Sequence, residues 1–295
     1  MRRFSAIVRA TALEICSEPL ALLLTMSATA LAFLAPRLHY HQFGDPTRMA
    51  MESGLSAQLV LGLAFVVFCP VRALRREIES GTLQMALSHS VSRGSFFLAK
   101  ALGAFLAYLV FATTVFALTV TVTRGSAIGA EIAKAHNDIP GLFGPSVVLA
   151  TAAILLPLVL AALFNYLWKF RFTLTATLLS AVLSVAVQFA WFDAEQWLRM
   201  VPLALLLTFP AAVVTAASAA FAVKWRGNAA TSLAGVLCVV MLPLFGNYYL
   251  PGALAKGHSL PCSYLLLAGV VTLPLVAAFV GAGMLMFENR EIGGE

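Results

Sequence analysis

Charged residues are excluded from long parts of this chain, and this exclusion limits the possible fold more than any other feature. The chain of 295 residues has 19 Lys and Arg and 13 Asp and Glu. Eight windows of 18 to 31 residues contain none of them: 19–36, 53–71, 101–123, 139–168, 172–192, 200–223, 227–255 and 257–287. A helix needs roughly 20 apolar residues to cross the hydrocarbon core of a bilayer. Each window therefore has about the length of one crossing or more.

The composition excludes several classes of protein. Only 11% of the residues are charged and 61% are hydrophobic, whereas a soluble domain carries roughly 25% charged residues. Hydrocarbon offers no hydrogen-bond partner to the backbone, so only helices and closed barrels can span it. Barrel strands alternate over segments of about 10 residues, while these windows are apolar throughout. We predict an all-α polytopic transmembrane helical bundle, and not a soluble, nucleic-acid-binding or disordered protein.

The windows organise the chain as one transmembrane domain over residues 1–295. The predicted spans lie at about 20–36, 54–71, 96–123, 145–167, 173–192, 200–223, 229–250 and 262–287. Six spans with a re-entrant pair are the alternative to eight. Residues 1–18 precede the spans and place apolar side chains on one face at helical spacing, which is typical of an amphipathic interfacial helix. A frayed terminal segment is the alternative for these residues.

The basic residues predict the orientation. With eight spans both termini share one side, and thirteen Lys and Arg would lie on that side against six on the other. Cytoplasmic loops carry the excess of Lys and Arg in membrane proteins, so we expect both termini in the cytoplasm. The basic net charge of +6 is then a consequence of topology and needs no nucleic-acid partner.

Several kinds of chemistry lack their usual residues. No ionisable side chain lies near the middle of a predicted span, whereas ion-coupled pumps usually place Asp, Glu or His there. His39 and His41 are the closest approach to a metal site, and two histidines without a third ligand are more often plain loop residues. The four cysteines form no CxxC pair, and no Gly-Lys dipeptide is present for a phosphate-binding loop. We expect no catalytic residue, cofactor or metal in this chain.

The segment 72–95 is the one sizeable loop predicted on the cytoplasmic side. Gly81 should end a helix that leaves the second span, and the Thr82 hydroxyl could cap a short helix after it. That short helix would have an apolar stripe that contains Leu83 and Leu87. Ser92 can cap the third span. The pattern fits a docking element below the membrane, but it fits a solvated loop that only fixes topology about equally well.

The same segment resembles a known family. Glu77-Ile-Glu79-Ser-Gly81-Thr82-Leu83, followed by Ser88, Ser92-Arg93 and Lys100, is similar to the E-x-E-x-G-T-L … S-x-P-x-S-R … G-K segment of ABC-2 type exporter permeases. Leu13-Glu14 is similar to the elbow helix of that family, and 287–292 resembles its C-terminal F-x-x-R-E-I. Ser90 stands where the family usually has proline, and many members have six spans.

The resemblance implies a function and a set of partners. It implies the membrane subunit of an ATP-driven exporter in a bacterial inner membrane, paired with a second permease copy and two ATPase subunits that hold ATP and Mg²⁺. It assigns ATPase docking to a coupling helix and its flanks: Glu77, Glu79, Gly81, Thr82, Leu83, Leu87 and Arg93. Lys169 and Arg171 would form a smaller cytoplasmic contact. A nucleotide-independent transporter or channel and a membrane scaffold for an assembly complex are the alternatives.

Overall fold

A computed structural model describes residues 2–38, 46–79, 92–136, 145–190, 193–225, 227–243 and 262–288. These residues are almost entirely helical and contain no strand. They form nine helices: α1 Arg2–Cys16, α2 Pro19–Leu38, α3 Pro46–Glu79, α4 Arg93–His136, α5 Pro145–Trp168, α6 Phe172–Ala190, α7 Ala194–Lys224, α8 Gly227–Pro243 and α9 Cys262–Glu288. The all-α polytopic bundle is therefore confirmed.

Each of the eight predicted spans overlaps one of the helices α2 to α9, and the ends of two of them, 191–192 and 244–250, lie outside the described residues. Within the described ranges, six helices are long and apolar enough to cross a membrane: α3, α4, α5, α6, α7 and α9. Helix α2 meets the same test only together with α1, from which it is bent by 66°. The apolar part of α8, Asn228–Met241, is shorter than a span. The chain is a multi-pass membrane protein, and six of its described helices have the length and hydropathy of complete spans.

Local sequence explains several helix boundaries. Pro19, Pro46 and Pro145 each stand at the first position of a helix, where the missing N–H has no intrahelical partner to lose. Ser92 caps α4 by accepting a hydrogen bond at 3.3 Å from the Ser95 N–H, which confirms the predicted cap. Asp193 caps α7 in a similar way, through the Glu195 N–H at 3.1 Å.

The centre of the bundle is formed by α3, α4 and α7, which pack against one another. Their most apolar windows are 72%, 61% and 61% buried, while those of α5, α6 and α9 are only 22%, 28% and 11% buried. Aromatic rings fill the centre: Phe65 and Phe111 lie 5.2 Å apart and Tyr108 lies 6.1 Å from Phe111. The outer helices therefore present large apolar faces, as expected for helices in contact with lipid.

Small residues let the central helices approach closely. A Cβ added to Gly54 of α3 would lie 2.2 Å from the Thr119 side chain of α4. Helix α7 is lined from Ala211 to Val223 by mostly small buried residues. Lipid is as apolar as leucine, so close packing of small residues and interhelical hydrogen bonds replace the hydrophobic effect between membrane helices.

Candidate functional site

Ion pairs at one end of the bundle join three helices and the link between α1 and α2. We call this region the charged end and define it by Glu14 in α1, Glu18 just before α2, Arg76 and Glu77 at the end of α3, and Lys100 near the start of α4. Three salt bridges between these five residues connect different parts of the described chain. The chain brings together here segments that are up to 86 positions apart in sequence.

Lys100 lies at the centre of the charged end. Its side chain is only 9% exposed, its ammonium group contacts the Glu77 carboxylate directly, and it lies 3.9 Å from the Glu14 carboxylate. The ammonium group also lies 5.6 Å from the centre of the Phe96 ring. A buried cation is costly unless it is paired, and Lys100 has two carboxyl groups and an aromatic face within reach. It thus connects α1, α3 and α4 through one side chain.

The two carboxyl groups beside Lys100 also interact with each other. The Glu14 carboxyl lies close enough to that of Glu77 for the two like charges to affect each other. Burial raises the pKa of the Glu14 carboxyl, and the Glu77 carboxylate raises it further, whereas Lys100 opposes both effects. The raised pKa means that the ionised form of Glu14 is disfavoured at its position beside the Glu77–Lys100 pair.

A second ion pair and a hydrogen bond hold the junction between α1 and α2. Glu18 is buried, and its Oε1 lies 2.8 Å from Nη1 of Arg76. The Thr173 hydroxyl of α6 donates a hydrogen bond at 2.6 Å to the backbone carbonyl of Ser17. The bend between α1 and α2 is thus tied to α3 on one side and to α6 on the other.

The C-terminal part of α9 reaches the same end. Arg93 donates a hydrogen bond at 3.0 Å to the backbone carbonyl of Glu288, where a cation also complements the helix dipole. The Phe287 ring is fully buried and lies 6.0 Å from the ring of Phe96 and 6.3 Å from that of Phe97. The start of α4, which follows the segment 80–91, is therefore packed against the end of α9.

The predicted docking residues fall into three groups in the structure. Gly81, Thr82, Leu83 and Leu87 lie outside the described residues. Glu77 turns inward to Lys100 and does not project from the surface, whereas the Glu79 side chain is 71% exposed and lies 3.8 Å from Arg75. Arg93 is exposed at the start of α4 and donates a hydrogen bond to the end of α9.

The other two predicted contact residues lie in the turn between α5 and α6. Lys169 and Arg171 are both exposed, and Lys169 has a positive φ of 55°. The turn is on the same side of the bundle as the charged end, since Thr173 in the first turn of α6 contacts Ser17. The structure does not bring Lys169 or Arg171 into any ion pair with the five residues of the charged end.

Sequence reasoning missed the role of α1. Its apolar face was expected to lie on the membrane surface, but Thr11 and Ile15 are buried and α1 packs along α4. A Cβ added to Gly103 of α4 would lie 2.6 Å from the Thr11 Cβ and 2.7 Å from the backbone carbonyl oxygen of Val8. The sequence did contain one signal for this contact. Gly103 lies about one helical turn after Lys100, so a small residue leaves room on α4 for a second helix such as the amphipathic α1.

The opposite end of the bundle is held by neutral groups. Gln188 of α6 donates hydrogen bonds to the Ala117 carbonyl and the Thr121 hydroxyl of α4, and Gln196 of α7 donates one to the Val120 carbonyl. Gln188 is buried, and its hydrogen bonds therefore join α6 to α4.

The described residues offer no assembled reactive centre. Among them, no group of three or more His, Cys, Asp or Glu could hold a metal ion. Cys16, Cys69 and Cys238 are buried free thiols. The chemistry available at the charged end is electrostatic linkage between helices. No protein-family model, curated protein or solved structure matches this chain.

Proposed function

We propose that this chain is the membrane subunit of an ATP-driven ABC-2 type exporter and that a separate ATPase docks at its charged end. The family resemblance of residues 77–93 supports this proposal, and one structural observation carries it further. The two edges of the segment 80–91 are joined by the Glu77–Lys100 ion pair, and Lys100 extends that link to Glu14 of α1. A displacement of this segment would therefore be passed to three helices.

The ion pairs supply the mechanical step of the proposed mechanism. ATP and Mg²⁺ bind to the partner ATPase, and closure of that subunit moves the segment between α3 and α4. The Glu77–Lys100 contact makes the end of α3 and the start of α4 move together, and the Glu14–Lys100 contact adds α1. Helices α3 and α4 form the centre of the bundle with α7, so their movement would change the packing around a pathway.

The two glutamates have different roles in this mechanism. Glu79 is exposed and can meet an ATPase residue, whereas Glu77 faces Lys100 and would transmit force within the membrane subunit. In the complete assembly, two permease copies, identical or not, would pair with two ATPase subunits. Both termini and the segment 80–91 would then face the cytoplasm of a bacterial cell, with the bundle in the inner membrane.

A charge reversal at Glu79 tests the docking site. Glu79→Lys should lower co-purification of the ATPase and abolish transport-stimulated ATP hydrolysis, because a cation would replace an interface acid. Truncation of one partner of a charge pair that is buried at an interface costs about 2–5 kcal/mol, so the expected fall in binding is at least roughly tenfold. The exposed position of Glu79 should leave folding unchanged, which the melting temperature in detergent will show.

Glu195→Lys is the matched control at the opposite end. Glu195 is 76% exposed, close to the 71% of Glu79, and it also pairs with an Arg four positions away. This control should keep ATPase binding and activity. If both charge reversals bind the ATPase equally well, the residues 77–93 are not the docking site and the proposal loses its main support.

A charge swap separates docking from force transmission. Glu77→Lys alone should bind the ATPase but lose coupling between ATP hydrolysis and transport, since two ammonium groups would then face each other across positions 77 and 100. Adding Lys100→Glu restores an opposite-charge pair and should recover part of the coupling. Recovery of stability without recovery of coupling would mean that the pair only stabilises the fold.

A further inference from the structure

The turn between α5 and α6 has an unusual combination of side chains on its surface. Helix α5 ends at Trp168 and α6 begins at Phe172, so only three residues connect them. The turn is well defined: the Lys169 N–H donates to the Asn165 carbonyl at 3.0 Å, and the Asn165 side chain donates to the Phe170 carbonyl at 2.6 Å. Two hydrogen bonds to Asn165, one to its backbone and one to its side chain, therefore fix the backbone of the turn.

Aromatic and basic side chains alternate through this turn. Tyr166 is 84% exposed, Trp168 is 60% exposed and Phe170 is 54% exposed. Lys169 and Arg171 lie between or beside them in sequence and are also exposed. Within the described ranges, neither cation forms a salt bridge or a hydrogen bond through its side chain, in contrast to Arg76 and Lys100. The turn therefore offers two uncompensated positive charges beside three open rings.

The charges and rings define the kind of partner that fits. Trp and Tyr concentrate at the level of the lipid headgroups, where one end of the ring is apolar and the other is wet. Cations beside them lie at the depth of the headgroup phosphates, and anionic leaflets attract Lys and Arg there. A contact with a water-soluble protein would instead leave these rings in water whenever that protein is absent. The turn also ends a helical hairpin whose outer faces are exposed and apolar.

We propose that the α5–α6 turn is a binding site for an anionic phospholipid. Lys169 and Arg171 contact the headgroup phosphate, and the rings of Trp168 and Phe170 lie among the upper acyl carbons. This site anchors the α5–α6 hairpin at the level of the charged end, to which Thr173 and Ser17 connect it. The proposal does not depend on the exporter function, and it assigns Lys169 and Arg171 to lipid and not to an ATPase contact.

The test compares lipid binding to the full-length chain in detergent. Native mass spectrometry would measure binding of phosphatidylglycerol and of phosphatidylcholine with the same acyl chains. A Lys or Arg near an anionic surface strengthens attraction roughly fivefold, so two of them predict roughly a 25-fold preference for phosphatidylglycerol. The double variant K169N/R171Q should lose most of that preference. Asparagine is chosen because it tolerates the positive φ of residue 169 and so preserves the turn.

A double variant with the same change in net charge serves as control. R48Q/R199Q also removes two cations, but each of these is paired with a glutamate on its own helix, at 2.6 Å and 2.5 Å. It should keep the phosphatidylglycerol preference of the wild type. Equal melting temperatures of the two double variants would show that neither effect comes from unfolding.

Three outcomes would overturn the proposal. The first is a wild-type chain without preference for phosphatidylglycerol, or equal loss in both double variants. The second is displacement of the lipid by excess inorganic phosphate, which would indicate a site for a free anion. The third is a K169N/R171Q variant that keeps its lipid preference but no longer binds an ATPase subunit, which would mean that the turn contacts a protein and not a lipid. W168A should weaken binding of both lipids without changing their ratio.

Discussion

The two ends of the bundle use their charges differently. At the charged end, Lys100 and Arg76 pair with carboxylates on other parts of the chain, so the pairs join α1, the link between α1 and α2, α3 and α4. At the opposite end, the described salt bridges are Arg48–Glu52 and Arg199–Glu195, and each lies within one helix at a spacing of four residues. Contacts between helices at that end come from Gln188 and Gln196, which are neutral.

This difference indicates what each end can do. An exposed pair within one helix contributes about 0.3–0.5 kcal/mol and does not restrain a neighbouring helix. A partly buried pair between helices fixes their relative position, and its loss leaves a charge without a partner. The charged end is therefore the end at which a displacement of one helix would move the others. At the opposite end, the links between helices that the described residues show are packing contacts and neutral hydrogen bonds.

The largest expected effect is at Lys100. Lys100→Met keeps a long unbranched side chain but leaves the Glu14 and Glu77 carboxyl groups together without their cation. Breaking a buried ion pair costs about 3–5 kcal/mol, and the partial exposure of Glu77 places this case near the lower value. We expect a fall of about 3 kcal/mol in the free energy of unfolding, measured by denaturant titration in detergent.

The matched substitution for Lys100 is at the opposite end. Arg199→Met breaks an exposed pair within α7 and should change stability by less than about 0.5 kcal/mol. Equal losses for the two variants would show that the two ends do not differ in the way that we infer. A fall for Lys100→Met that Glu77→Gln repairs in the double variant would assign the cost to the unpaired carboxylate.

The next effect concerns the contact between α1 and α4. Gly103→Ala would place a Cβ 2.7 Å from the Val8 carbonyl oxygen, and a backbone atom cannot move aside cheaply. Overpacking of this kind costs about 1–3 kcal/mol. In Gly281→Ala the added Cβ meets no atom within 4 Å, so that variant should be neutral or slightly stabilised by helix propensity. The melting temperatures of the two variants in detergent measure this difference. A Gly103→Ala variant as stable as Gly281→Ala would contradict the close packing of α1 against α4.

Apart from the control variants, the smallest expected effect is that of removing a neutral hydrogen-bonding side chain at the opposite end. Gln188→Leu removes the hydrogen bonds to Ala117 and Thr121, although the leucine still fills most of the volume. Interhelical hydrogen bonds in membranes contribute about 0.6 kcal/mol on average and about 1.7 kcal/mol at most. We expect a loss of about 1 kcal/mol in unfolding free energy. A loss as large as that of Lys100→Met would mean that both ends are held equally strongly.

The helices could be predicted from the sequence because membranes impose a simple rule. A window of about 20 residues without charge must become a helix in hydrocarbon, whatever packs against it. Each of the eight windows therefore overlaps one of the helices α2 to α9, and residues 2–16 form a separate helix as expected. The number of complete crossings did not follow in the same way. The described part of α8 is shorter than a span, and α2 meets the test of length and hydropathy only together with α1, across a 66° bend.

The site residues could be predicted by type but not by orientation. Glu77 and Glu79 are two positions apart, and nothing in the local pattern distinguishes their roles. One faces Lys100 and the other faces outward, because two residues at that spacing point about 200° apart around a helix. Glu14 was not expected to lie beside Glu77, nor Glu18 to pair with Arg76, since they lie 63 and 58 positions before these residues along the chain.

The sequence by itself determined that this protein is a bundle of membrane helices, because the cost of a charge or an unpaired amide in hydrocarbon acts on each segment independently. Only the tertiary structure decided that α3, α4 and α7 are central and that α5, α6 and α9 are peripheral, since all of them are similarly apolar. It also decided that Lys100 joins three helices, because an ion pair depends on where distant residues meet. Close approach at Gly54 and Gly103, and not hydrophobicity, sets that arrangement.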